Sequence, residues 1–152
     1  MKSVNKVPIW FMRQAGRYLP EYMEIRSKNS DFLRLCFNPE LASEISLQPI
    51  KRFDLDFIIL FSDILVIPHA LGQQVRFLKN HGPSLSRINS KKDINYFNFS
   101  ECLRKISNIF ETIKILSSKK GTKNLIGFCG GPFTVLNYMI EGGTSKTHSK
   151  IK

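Results

Sequence analysis

Apolar positions along the chain fall into short dense runs and helical stripes, punctuated by Pro, Gly, Asn and Ser. The first run, "VPIWFM" (Val7–Met12), predicts a short buried strand. "LPEYMEIRSK" (Leu19–Lys28) suits a helix with Pro20 in its first turn, where the missing N–H has no partner to lose. Ser30 is a candidate cap for a short helix through "DFLRLCF", and Asn38 with Pro39 opens a third, "ELASEISLQ", expected to weaken near Pro49. "FDLDFIILF" (Phe53–Phe61) is a second buried run that ends at Ser62 and Asp63.

"QQVRFL" (Gln73–Leu78) alternates, and His81, Gly82 and Pro83 mark a turn, so this segment predicts a small hairpin. The clearest helix is "SECLRKISNIFETIKILSS" (Ser100–Ser118). It places Leu103, Ile106, Ile109, Phe110, Ile113 and Leu116 on one face, with Ser100 as its cap. "NLIGFC" (Asn124–Cys129) predicts a third strand, which runs through Gly130, Gly131 and Pro132 into a helix "FTVLNYMIEG". The polar tail "GTSKTHSKIK" reads as frayed.

Strand, helices, strand, hairpin, helix, strand, helix is the order of an α/β protein with a parallel sheet and covering helices. Three such strands rarely close a sheet by themselves, and an eight-fold barrel needs about 250 residues. The chain has 152, so it reads as the first part of something larger, a single incomplete domain over 1–152.

Composition narrows the class. An apolar fraction of 42% with twelve Phe fits a globular core and argues against disorder. No run approaches the roughly 18 apolar residues of a membrane span, and the start lacks the cleavage pattern of a secretory signal, which points to the cytoplasm. Cys36, Cys102 and Cys129 are too scattered for a disulfide framework or a zinc site, so no metal is expected. The net charge of +11 suits an acidic ligand, but the lysines are dispersed and form no basic stripe interleaved with aromatics. Nucleic acid is therefore not the expected partner, and much of the excess reads as solvated surface.

In parallel α/β folds, ligands gather at the carboxyl ends of strands. The first run delivers Arg13, Gln14 and Arg17, the second delivers Asp63, and the third a glycine-rich turn with Tyr138 beyond it. Arginine forks grip carboxylates through paired hydrogen bonds and stay charged at any working pH. Gly16 between them lets the chain turn sharply or approach a ligand closely. Arg13 and Arg17 thus read either as a clamp for an anion or as surface partners of Glu21, Glu24 or other acids. Asp63 reads either as a cap of the next helix, which the pattern favours, or as a ligand group. Tyr138 has core packing as its alternative, and His69 reads as structural. His81 and His148 suggest nothing specific. The stretches "GFCGGPFT" and "EGGTSK" fit neither phosphate-loop pattern.

"PIWFMRQAGRYLPEY" closely resembles the first signature of the uroporphyrinogen decarboxylase family, and "GFCGGPFTVLNYMIEGG" resembles the second. Between them "LQPIKRFDLDFIILFSDILVIPHALG" is similar to the same family at the same relative position. The resemblance implies a (β/α)8 TIM barrel, of which this chain is roughly the N-terminal half, with a hairpin excursion after the second strand. It implies removal of carboxyl groups from the four acetate arms of uroporphyrinogen, giving coproporphyrinogen for haem synthesis, with neither metal nor organic cofactor and usually as a homodimer. Arg13, Gln14, Ala15, Gly16 and Arg17 match the family's substrate-binding turn. Asp63 matches its central carboxylate, which accepts from pyrrole N–H groups, and Tyr138 a tyrosine beside it. Asp63 and Arg13 are the implied catalytic pair.

The chain also departs from the family's pattern. Seven residues precede "PIW" where the family has a helical segment, and Thr144 stands where a third glycine is common. The hydroxyl residue and C-terminal histidine that later strands contribute have no counterpart here. The expectation is a truncated N-terminal portion whose catalytic site is incomplete and which is not active alone. The alternatives are a non-catalytic remnant or complementing subunit of a split enzyme, a barrel relative such as a cobalamin-linked methyltransferase, and a basic nucleic-acid binder.

Overall fold

A computed structural model of the chain describes residues 7–78 and 82–144. The predicted tail beyond Thr144, with His148, and the turn residue His81 lie outside the described residues. The chain forms two compact units: one holds the segments up to Phe61 and from Ile109 to Gly127, the other Ser62–Asn108 and the segment from Phe128 onward.

In the first unit, α1 (Pro20–Lys28) begins at Pro20 as predicted. Helix α2 (Phe32–Cys36) is capped by Asp31, whose carboxylate accepts from the Arg34 N–H at 3.2 Å; the expected cap, Ser30, lies one residue too early. Helix α3 (Pro39–Arg52) is capped by Asn38, which accepts from Leu41 at 3.0 Å. It continues through Pro49 rather than ending there. Pro49 is fully buried, and the Phe53 N–H closes on its carbonyl at 2.8 Å, so tertiary packing outweighs the single hydrogen bond that a proline removes.

Strands β1 (Phe57–Ile59) and β4 (Asn124–Ile126) pair in parallel, Ile58 opposite Leu125. Both are shorter than the apolar runs that contain them. Leu47, Ile58, Leu60 and Leu116 form one buried cluster, joined by Ile50, Ile109, Ile113 and Leu125. Leu19, Tyr22, Leu35 and Ile45 form a second, with Phe61 set edge-on to Tyr22 at 6.0 Å.

The predicted strand over Val7–Met12 is not a strand. Pro8 has no N–H, and within the segment only Ile9 reaches the neighbouring chain: its carbonyl accepts from Asp56 N at 3.1 Å and its N–H donates to Asp56 Oδ2 at 2.7 Å. One reciprocal pair does not make a ladder. Its side chains are exposed rather than buried, Met12 at 81%.

The second unit contains α4 (Val66–Leu71), the hairpin β2 (Val75–Leu78) with β3 (Gly82–Leu85), α5 (Lys91–Ile94) and α7 (Pro132–Glu141). The hairpin is antiparallel as expected, but Gly82 and Pro83, expected in the turn, are paired in β3. Pro83 fits because it faces Phe77 at an edge of a two-stranded sheet. Helix α6 (Phe99–Lys119) contributes its residues to Asn108 to this unit and the rest to the first. Its cap is Asn98, which accepts from Glu101 at 2.9 Å, instead of Ser100. Of the predicted apolar face, Leu116 is buried while Leu103 and Phe110 are exposed.

Helix α7 ends at Gly142 with φ 79°, its N–H bonded to the Tyr138 carbonyl at 2.9 Å. A Cβ there would meet the Arg87 Cγ at 2.6 Å and the Leu85 carbonyl at 3.0 Å. Gly142→Ala is expected to destabilise the protein by about 1–2 kcal/mol from backbone handedness alone, read as a lowered urea midpoint at unchanged slope.

Candidate functional site

The segment Arg13–Arg17 is positioned from both ends. Gln14 is buried, its Nε2 donating to the Phe57 carbonyl at 2.9 Å and its Oε1 accepting from the Ile59 N–H at 3.1 Å. Ala15 packs against the Tyr22 cluster, and Leu19, 1% exposed, sits within it. The Leu19 N–H closes a turn on the Gly16 carbonyl at 3.0 Å, and the Tyr18 hydroxyl donates to the Gln14 carbonyl. Between these anchors Arg13 and Arg17 are exposed.

Neither guanidinium meets a carboxylate among the described residues. The acids proposed as surface partners are engaged elsewhere: Glu21 takes Arg52 through two bonds, at 3.0 and 2.9 Å, and Glu24 takes Lys28 at 2.9 Å. Arg52 draws the Glu21 carboxyl below its ordinary value, and Lys28 does the same for Glu24. The surface-pairing explanation of Arg13 and Arg17 is therefore set aside. The charge of Arg17 is felt at Tyr22, whose phenol is pushed up by burial and drawn back by Arg26 and Arg17. Arg13 borders a hollow of about 280 Å³ with Phe11, Gln14, Tyr18, Phe53 and Leu55.

Gly16 does not play the role that its place between the arginines suggested for the turn. Its φ is not in the left-handed region, and a Cβ would rest against the Tyr18 ring at an ordinary 3.7 Å. The fold itself does not demand glycine here.

Asp63 and Tyr138 belong to the second unit. Asp63 stands in the turn before α4, and Oδ1 accepts from the Leu65 N–H at 2.8 Å. This is a local turn bond of the kind that aspartate makes two residues ahead. The formal cap of α4 is Leu65, so the predicted helix cap is realised only as this preceding turn. Burial pushes the Asp63 carboxyl above its ordinary value, and the Leu65 bond offsets part of that. Tyr138 is half-buried on α7. His69 is half-buried in α4, its backbone N–H bonded to the Leu65 carbonyl at 3.1 Å.

Gly130 explains part of the glycine-rich stretch. A Cβ there would lie 2.3 Å from Val135 Cγ2 and 3.0 Å from Ile64 Cβ, so only glycine lets this loop pass against the residue next to Asp63. Asp56, which ties Ile9, and the Arg52–Glu21 pair were invisible in the sequence. Their partners lie 47 and 31 positions away, and no local pattern links them.

Because the folded protein protonates Asp63 more readily than the unfolded chain does, the ionised residue costs stability at neutral pH. That cost fades as pH falls through its raised value and is gone below the unfolded value of about 3.9. Asp63→Asn keeps an acceptor for the Leu65 N–H. The variant should unfold at a higher urea concentration than the parent at pH 7, with the difference closing by about pH 3.5; a gap constant with pH would contradict a buried charge.

Residues 1–152 match the profile of the family described as Uroporphyrinogen decarboxylase (URO-D). A uroporphyrinogen decarboxylase of Nitratiruptor sp. is 50% identical, with 99% of this chain and 45% of the relative covered. One from Neorickettsia sennetsu is 54% identical over 97% of this chain and 45% of its own length. One from Rickettsia felis is 49% identical over 93% and 41%. Among solved structures, a methyltransferase from Methanosarcina mazei superposes with a TM-score of 0.67 at 26% identity, covering 90% of this chain and 41% of that one. The chain thus spans less than half the length of these relatives, matching the N-terminal part of the decarboxylases. On a match that runs through every residue, the chain belongs to the uroporphyrinogen decarboxylase family.

Proposed function

We propose that this chain supplies the anion-gripping part of a uroporphyrinogen decarboxylase, a cofactor-free carboxy-lyase acting on the acetate arms of an octacarboxylate tetrapyrrole. The observation that carries the reading is the pair of exposed guanidiniums at one turn, without carboxylate partners among the described residues while Glu21 and Glu24 are occupied. An unpaired arginine on a fixed turn is suited to a carboxylate brought by a ligand. The architecture in which it works is a partial (β/α)8 barrel. The parallel β1–β4 pair and the likeness to the longer methyltransferase favour that reading.

The chemistry needs an electron sink. When CO2 leaves an acetate arm, the electron pair of the broken C–C bond must be accommodated, and protonation of the adjacent pyrrole makes the ring cationic for that purpose. In this reading Asp63 is the carboxylate that accepts from pyrrole N–H groups and stabilises the cation more than the neutral ring. Its raised pKa means that it ionises later than an ordinary aspartate, so the acid limb of a rate profile should be displaced upward from that of an ordinary aspartate. Arg13 holds the departing carboxylate, Arg17 and the turn at Ala15 and Gly16 hold others, and Tyr138 borders the ring. Gly16, which the fold leaves free to carry a Cβ, is in this reading kept bare for the substrate's approach.

The decisive experiment follows uroporphyrinogen to coproporphyrinogen with the full chain, alone and mixed with a polypeptide carrying the C-terminal part of a relative. Conversion in either arm supports a decarboxylase. Uroporphyrin binding without conversion in both favours a non-catalytic binding subunit, and neither binding nor conversion rejects the proposal. Arg17→Ala should weaken uroporphyrin binding about tenfold or more, the scale of a lost charge-assisted hydrogen bond, and change stability by no more than about 0.5 kcal/mol. Gly16→Ala should likewise leave the urea midpoint in place and weaken binding, measured by fluorescence titration.

A further inference from the structure

The resemblance assigns Gln14 to the substrate, but its amide is already engaged. The residue is 4% exposed, and its amide donates to the Phe57 carbonyl at 2.9 Å and accepts from the Ile59 N–H at 3.1 Å. Those two groups lie on the side of β1 that β4 leaves free. On the other side, the Asp56 carbonyl accepts from Asn124 N at 3.1 Å and the Leu60 N–H donates to Ile126 at 3.0 Å. A primary amide carries the same donor and acceptor as a peptide group. Gln14 therefore replaces one residue of a third strand, two positions beyond the segment Val7–Met12, which forms none.

We propose that Gln14 is a positioning residue: it contacts no ligand, and its side-chain bonds to β1 set where Arg13 and Arg17 stand. This rests on the reading of those arginines as the carboxylate grip. The geometry is direct. Gln14 is buried with its amide on β1, while its neighbour Arg13 is exposed. The Gln14 carbonyl also accepts from the Tyr18 hydroxyl, and Leu19 closes the turn on Gly16 at 3.0 Å, so Arg17 stands between two buried anchors. Among the described residues neither guanidinium has a carboxylate partner that would fix it. Releasing Gln14 frees the turn while leaving both charges in place.

The test compares Gln14→Met, which keeps the length but removes both bonds, with Gln14→Asn, which keeps the neutral amide on a stem one methylene shorter. Uroporphyrin binding is titrated in the parent and in an Arg13→Ala/Arg17→Ala background. A positioning residue weakens binding about tenfold in the parent when replaced by Met, less when replaced by Asn, and by under about twofold where the arginines are gone. An equal fold-loss in both backgrounds identifies a direct contact and overturns the proposal, and so does unchanged binding in the parent. Amide exchange supplies a readout independent of substrate. Gln14→Met should speed exchange at Ile59 and Leu19 about tenfold or more and leave Phe53, bonded to the Pro49 carbonyl, unchanged. If the parent binds no uroporphyrin, the decarboxylase reading falls, and the Leu19 amide alone decides: unaltered exchange there refutes positioning. If the Met variant does not fold, the Asn variant is held to the same outcomes at intermediate size.

Discussion

A β-strand presents backbone donors and acceptors to both sides, and both must be satisfied when the strand is buried. Strand β1 meets this with two different devices. On one side β4 provides a parallel ladder, Ile58 opposite Leu125. On the other, a segment that makes no ladder provides one side chain: the Gln14 amide bonds Phe57 and Ile59, while just ahead of the strand Ile9 exchanges bonds with Asp56. That stitching places the arginine-bearing turn. It also explains how Arg13 and Arg17 emerge from a segment whose neighbours Gln14 and Leu19 are buried.

Electrostatics in the first unit follow from which acids are already taken. The chain carries 23 basic side chains against 12 acidic ones, so cations without partners are unavoidable. Their location is not arbitrary. Lys28 takes the acid one helical turn back, Arg52 takes Glu21 across to α1, and Lys123 takes Asp54 at 3.0 Å. Each pair is solvent-exposed on at least one partner and contributes modestly to stability, but together they leave the arginine turn open to an anion from outside. The second unit shows the opposite economy. Asp63 has a single backbone donor and partial burial, so it holds a carboxyl whose charge is costly until something cationic or hydrogen-bonding faces it.

Elements whose cause is local were legible in the sequence. Helices α1, α6 and α7 lie within about a residue of their predicted limits, because Pro20, the apolar stripe of α6 and Gly142 act within a few positions. The hairpin was legible for the same reason. Three errors had two causes. Asp31 and Asn98 displaced the serines as caps because the last residue before helical dihedrals decides, and one position cannot be resolved from composition. Helix α3 ran through Pro49 because core burial outweighed propensity.

By itself the sequence determined the helices with local caps, the hairpin, the family and the candidates Arg13, Arg17 and Asp63, since motif and periodicity are properties of neighbouring residues. Only the tertiary structure decided that Val7–Met12 is not a strand, that Gln14 faces β1, that Glu21 belongs to Arg52, and that Gly130 is required by contact while Gly16 is not. These depend on partners many positions away in the chain. Which donor finds which acceptor is set by the packing of β1, α1 and α3, not by any spacing along the chain.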